Sequence, residues 1–236
     1  MSIFVFPDLW VLLLIGYLIG SVNLSVLLGK WIGKDIRGVG TGNPGASNVY
    51  RNLGQAFGAA ILVLDACKAL LPMIIVSNWY GATHPPEIGL GMAIAVACTA
   101  QIGHCWTVFH KFRGGKGVAV SAGLFIGFGV IGGPEFGVNN HIYPIIGTAG
   151  YLVGIRVRKP GMAMGMMVLL SVPIGLILGV SGEILIGSGM TTGLFFIRRM
   201  QDIFPFWSHT SNRWFLIWSV VMDDIVPGQI LVGRRG

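Results

Sequence analysis

The feature that most limits the fold of this chain is the alternation of long apolar runs with short segments holding nearly all its cations. The first run, Leu9–Leu28, carries no charge and is long enough to cross a bilayer as a helix. Further runs follow at Phe57–Val76, Ile88–Phe109, Val118–Ile131, Ile142–Ile155, Ala163–Val180 and Ile184–Ile197. They predict an all-α integral membrane protein of seven transmembrane helices. Composition agrees: 53% of the 236 residues are hydrophobic and 11% charged, against roughly 25% charged in an average soluble domain. The mean hydropathy is +0.75.

Charge then orients the spans. Asp8 is the only charge before Lys30, and Lys30, Lys34 and Arg37 follow the first run. This reads as an anchored first helix, since a cleaved signal carries its cations in front. The segments Ser77–Glu87, Gly132–His141 and Ser181–Glu183 contain no Lys or Arg. Outside these segments every cation except Lys68 falls on the opposite side, so the N-terminus is expected outside and the C-terminus in the cytoplasm. The expected division is a membrane domain over 1–200 and a cytoplasmic tail over 201–236. In that tail Phe215–Val221 is too short to span a bilayer. With Trp207, Trp214 and Trp218 near Arg213, the tail fits either an amphipathic surface segment or a small folded cap.

The net charge of +7 is not gathered into a basic tail or a basic stripe with interleaved aromatics, so no nucleic-acid partner is expected. Cys67, Cys98 and Cys105 are odd in number, lie in or beside apolar runs and lack Cys-x-x-Cys spacing. They imply neither a disulfide framework nor a metal site.

Two polar stretches interrupt this pattern. Gly103–Gly117 reads GHCWTVFHKFRGGKG and places Arg113 and Lys116 among Gly114, Gly115 and Gly117. Glycines let backbone amides wrap an anion, and the cations supply charge for phosphate oxygens. Asp35–Gly58 reads DIRGVGTGNPGASNVYRNLGQAFG, a segment expected as a loop rich in hydroxyl, amide and cationic donors. Its Gly40–Gly45 matches G-x-G-x-x-G, but no strand precedes it. Gly115-Lys116-Gly117 fails as a Walker A loop, because His110 stands where a glycine is needed and no Ser or Thr follows the lysine. Anion binding survives these tests and nucleotide hydrolysis does not. His104 precedes the basic loop, and Asp65 and Lys68 stand i, i+3 within the second span, where charge is expensive and faces the protein interior or a polar cavity. Neither a Gly-x-Ser-x-Gly element nor a His-x4-Asp dyad is present.

Together, GTGNPGASNVYR and GHCWTVFHKFRGGKGVA resemble the first two motifs of the bacterial membrane acyl-phosphate:glycerol-3-phosphate acyltransferases. Gly20-Ser21, Asp35-Ile36-Arg37 and Leu64–Lys68 extend the resemblance, which runs from about residue 15 to 125. It implies seven helices with the motifs on the cytoplasmic face of the cell (inner) membrane. The implied reaction moves a fatty acyl group from acyl phosphate to the 1-hydroxyl of glycerol 3-phosphate, giving lysophosphatidic acid, with no cofactor and no metal. The donor phosphate would accept the hydroxyl proton. The implied partners are the two substrates, membrane lipid and the enzyme that makes acyl phosphate. Lys116, His104 and Arg51 are the implied catalytic residues. Thr41, Gly42, Asn43, Ser47, Asn48, Arg113, Gly114, Gly115 and Gly117 are the implied phosphate contacts.

The chain departs from the family at several points. Thr41 and Ser47 exchange one hydroxyl residue for another, and Thr107 replaces a usual proline. The third motif, Ser-Leu-x-Ser, is not recognisable; Arg158–Ala163 lies there, with Arg156, Arg158 and Lys159 as alternative cations. The C-terminal His-x-x-Asn-Ile appears as Arg199-Met200-Gln201-Asp202-Ile203, with His209–Asn212 a displaced candidate. The residues alone also fit a non-catalytic or transport protein for an anionic lipid or organic phosphate, although no internal repeat of the transporter kind is visible.

Overall fold

The computed structural model describes residues 7–131, 141–145, 149, 153, 160–204, 207 and 214. Among the described residues there is no β-strand, and the longer helices are α1 (Pro7–Ser21), α2 (Leu24–Trp31), α3 (Ala46–Leu53), α4 (Gln55–Gly81), α5 (Pro86–Cys105), α6 (Val118–Ile131), α7 (Pro160–Leu178) and α8 (Gly182–Ile203). Three stretches, Asp8–Trp31, Gln55–Gly81 and Pro86–His110, are long and apolar enough to cross a membrane, and Val118–Ile131 and Gly165–Leu178 are shorter apolar helices. Most of the run expected at Ile142–Ile155 lies outside the described residues. So do Arg156, Arg158, Lys159, most of Gly132–His141 and, apart from Trp207 and Trp214, the tail beyond Phe204.

The run expected as one helix over Leu9–Leu28 is two. Val26 N would donate to Val22 O in a continuous helix; it donates instead to Asn23 Oδ1 at 3.1 Å, and Asn23 caps α2. An asparagine side chain competes with the helical ladder in this way. The carbonyl so released does not stay bare. Lys68 Nζ, from the middle of α4, donates to Val22 O at 2.6 Å.

α5 is the central helix, packed against α1, α4, α6 and α8. Its Leu90, Ala93, Ile94, Val96 and Ala97 meet Phe125 and Phe128 of α6, Tyr143 and Phe195 of α8 in one buried cluster. Small residues set the closest approaches. A Cβ at Gly20 would strike the Ala100 carbonyl, one at Gly103 the Tyr17 carbonyl, and one at Gly123 the Ala66 carbonyl. Exposed Leu14, Ile75, Ile177 and Ile186 leave the outer face apolar, as a lipid-facing surface requires.

Two boundaries differ from expectation in ways that build the site. α5 stops at Cys105 instead of continuing to Phe109, and a short 3-10 turn follows at Val108–His110. The stretch expected as a loop after Lys34 contains α3, which starts beyond Gly45 and ends at Gly54, where φ is +109°. Val49 seats this helix on Val26, Ile36 and Ile61. α8 runs past Ile197 to Ile203.

The glycines of these crossings give a direct test. Gly123→Ala should destabilise the fold by about 1–3 kcal/mol through overpacking. Gly91→Ala, whose added Cβ meets nothing within 4 Å, should be neutral or stabilising by up to about 1 kcal/mol. Thermal unfolding in detergent would separate the two variants.

Candidate functional site

The segment between α2 and α3 is shaped around one buried side chain. Asn48 Nδ2 donates to Ile36 O at 2.9 Å and to Val39 O at 3.1 Å. Its Oδ1 accepts from Thr41 N, Thr41 Oγ1 and Asn52 Nδ2 at 3.1, 3.3 and 3.0 Å. Gly40 and Gly42 take left-handed backbone, φ +60° and +68°, where a side chain would be strained. Asn48 was expected as a phosphate donor. Both of its amide hydrogens are already taken by carbonyls, so its place here is to fix the loop that carries Thr41 and Asn43.

The basic loop after α5 has a different construction from the expected amide cradle. Lys111 and Phe112 turn the chain back in the left-handed region, φ 55° and 59°. Gly114 N then donates to Cys105 O and Gly115 N to His104 O, each at 3.0 Å. These bonds satisfy carbonyls that the end of a helix leaves without partners. A Cβ at Gly114 would collide with the His104 carbonyl and one at Gly115 with the His104 ring. The glycines therefore permit backbone contact with α5, and their amides are not available to wrap an anion. Lys116 leaves this tie toward the cavity, and Gly117, φ +79°, leads into α6.

Thr107, where the family resemblance leads one to expect proline, makes two contacts that proline, lacking a hydroxyl, could not. Its Oγ1 donates to Ser21 O at 2.6 Å and accepts from Phe109 N at 3.3 Å. Tyr17 OH donates to Trp106 O at 2.8 Å, so α1 is tied to the loop twice. Arg37 ties the other motif to it: Arg37 Nη2 donates to Arg113 O at 2.8 Å. Burial pulls the Arg37 guanidinium below its usual value, Asp35 offsets part of that, and Arg113 adds to it.

Between α3, α4, α5 and the start of α6 lies a cavity of about 640 Å³. Thr41, Asn43, Ser47, Asn48, Arg51, His104, Lys116 and Gly117 all line it, together with Asp65. Gly58, Ala59, Leu62, Val118 and Ala119 give it an apolar wall. Of the expected contacts, Gly42, Gly114 and Gly115 are not on this lining, and Arg113 is exposed with only its carbonyl drawn into the loop contacts. Asp65 Oδ1 pairs with Lys68 Nζ at 2.6 Å and stands 3.7 Å from His104 Nδ1, beyond a hydrogen bond. All three side chains are buried. Among the described residues no three His, Cys, Asp or Glu side chains converge as a metal site.

One participant was not singled out from sequence. Arg198 of α8 donates to Gly115 O and Gly114 O and pairs with Asp202 at 2.6 Å. The signal was the i, i+4 spacing of opposite charges at the end of an apolar run.

Residues 10–216 match the family model described as glycerol-3-phosphate acyltransferase. Curated glycerol-3-phosphate acyltransferases from Geotalea daltonii, Geobacter metallireducens and Pseudomonas aeruginosa PAO1 are 45%, 47% and 41% identical over 118, 118 and 119 residues. Each alignment takes in 50% of this chain and 57–59% of the relative, so the chain spans less than two thirds of the length of these relatives. The fold is similar to crystal structures of PlsY (YgiH), an integral membrane glycerol 3-phosphate acyltransferase. For the glycerol 3-phosphate form the TM-score is 0.66 at 23% identity, covering 89% of this chain and 99% of that one. For the lysophosphatidic acid form the TM-score is 0.64, covering 86% and 93%. The fold and site thus define a helical membrane protein with a cavity lined by cations, neutral donors and an apolar wall. The chain belongs to the glycerol-3-phosphate acyltransferase family.

Removing the clamp should weaken the site from within. Asn48→Ala leaves the Ile36 and Val39 carbonyls without their donor, and a loss of about 1–3 kcal/mol is expected. A fall in unfolding temperature, with insertion into membranes retained, is the measurement that checks it.

Proposed function

We propose that this chain transfers a fatty acyl group from acyl phosphate to the 1-hydroxyl of glycerol 3-phosphate, giving lysophosphatidic acid for phospholipid synthesis. The observation that carries the reading is that Arg51 and Lys116, from motifs far apart in the chain, line one cavity with Thr41, Asn43 and Ser47, and that this cavity also has an apolar wall. A phosphate needs cations and neutral donors, and an acyl chain needs apolar surface. Family membership and the names of the relatives support the same chemistry.

In this reading Lys116 and Arg51 hold phosphate oxygens, with Thr41, Asn43 and Ser47 completing their coordination. The backbone of Gly117 and the exposed Arg113 serve incoming anions at the margin, whereas the Gly42 amide, bonded to Val39 O at 3.1 Å, shapes the loop. The acceptor hydroxyl oxygen attacks the acyl carbonyl carbon, the bond from that carbon to the phosphate oxygen breaks, and inorganic phosphate leaves with the hydroxyl proton. No protein nucleophile is needed, because acyl phosphate is already activated. Positioning and charge stabilisation supply the acceleration. His104, beside Asp65, sits on the cavity as a group that orients substrate.

The topology belongs to the same proposal. Seven spans with the N-terminus outside place the motif loops, and a tail over 201–236, on the cytoplasmic side of the cell (inner) membrane. The absence of Lys and Arg from Ser77–Glu87, Gly132–His141 and Ser181–Glu183 supports it. Acyl phosphate is labile and amphiphilic, so the enzyme that makes it is the natural partner at that face.

Purified protein incubated with acyl phosphate and glycerol 3-phosphate should release inorganic phosphate and lysophosphatidic acid in equal amounts. Lys116→Ala should lower kcat/KM about a hundredfold or more, as expected for loss of a group aimed at developing charge. Turnover at the unsubstituted rate in that variant would reject its assigned role, and absence of product with both substrates present would reject the reaction.

A further inference from the structure

Gly114 and Gly115 carry the chain to Lys116, and both of their carbonyl oxygens are held from α8. Arg198 Nε donates to Gly115 O at 3.1 Å and Arg198 Nη2 to Gly114 O at 3.3 Å. The remaining arm of the guanidinium, Nη1, donates to Asp202 Oδ1 at 2.6 Å. Three acceptors thus meet one planar fork, a match that a lysine ammonium cannot reproduce. The amides of the same two glycines are tied to Cys105 O and His104 O. The peptide before Lys116 is therefore gripped from α5 on one side and α8 on the other.

Asp202 has two consequences. It orients the guanidinium, and its own negative charge, next to a loop proposed to bind phosphate, is neutralised by that contact. The side chains of Arg198 and Asp202 are 13% and 32% exposed, so the pair is screened only in part by solvent.

We propose that Arg198, aligned by Asp202, is a positioning residue that fixes where Lys116 enters the cavity. α8 thereby becomes part of the site without touching substrate. The catalytic half of this inference rests on the acyltransfer reading above; the structural half does not, and the test has one readout for each.

The first readout is amide hydrogen exchange in the full-length chain in detergent, followed over residues 111–118. Arg198→Lys and Arg198→Ala should speed exchange at Gly114 and Gly115 about tenfold or more, with protection in α5 and α6 unchanged. The second is steady-state kinetics. Arg198→Lys, which keeps the charge and loses the fork, should lower kcat by about 10- to 100-fold, the scale of a small misplacement of a catalytic group. KM for glycerol 3-phosphate should stay within about twofold. Adding Asp202→Ala to Arg198→Ala should lower kcat little further, because coupled residues do not add. Exchange unchanged in both Arg198 variants would overturn the latch, as would full kcat in Arg198→Lys. Loss of protection spread through α5, α6 and α8 would make Arg198 a general structural support and would also overturn it. Faster exchange at the two glycines in a protein that shows no turnover even when unsubstituted would leave the latch standing and reject the acyltransfer reading.

Discussion

A peptide carbonyl inside an apolar bundle must find a donor, and this requirement organises the molecule more than any other. Leaving such a group unmet costs several kcal/mol where water is excluded. Two helix breaks among the described residues show how this is met. At the first break Lys68 reaches across from α4 to Val22 O. At the second, Gly114 and Gly115 fold back onto Cys105 and His104. Each repair puts a chemically useful group beside the cavity: the Lys68 ammonium draws in Asp65, and the glycine return delivers Lys116. The polar site is thus a product of the way the bundle closes its own open ends.

Much of this was legible in the sequence. Val118–Ile131 was read with the bounds that the helix has, because an uncharged run bracketed by glycines leaves few alternatives. Thr41, Asn43, Ser47, Arg51, His104 and Lys116, which the family resemblance of the two motif stretches implies as site residues, do line one cavity. What escaped notice was local competition for hydrogen bonds. Asn23 sits in an apolar run whose hydropathy conceals a broken helix. α3 was invisible because Gly45 and Gly54 bracket only eight residues, of which Val49 alone is a fully buried apolar side chain. Around Gly114 and Gly115, glycine content reports freedom of approach and is silent on what approaches. Here it is the histidine ring and the helix end.

The departures from the family pattern acquire physical sense in the same terms. Thr107 replaces proline and gains a hydroxyl that binds Ser21 O and caps the following turn. Asp202 stands where an amide is usual, and the acid is accommodated because Arg198 neutralises it. A bare negative charge beside the proposed phosphate site would oppose binding.

The gap at Val22 and Asn23 has a mechanical meaning. A single stiff rod from Asp8 to Trp31 would work as a lever, so that any tilt imposed on its outer part by a thicker or thinner lipid layer would sweep its inner end past the pocket. Two shorter rods meeting at a pinned joint do not transmit that sweep. α1 stays tied to the end of α5 through Tyr17 and Ser21, while α2 is seated separately through Val26 on Ile36, Val49 and Ile61. Each short rod is thus anchored on its own side of the joint, the first by the end of α5 and the second by α3 and α4.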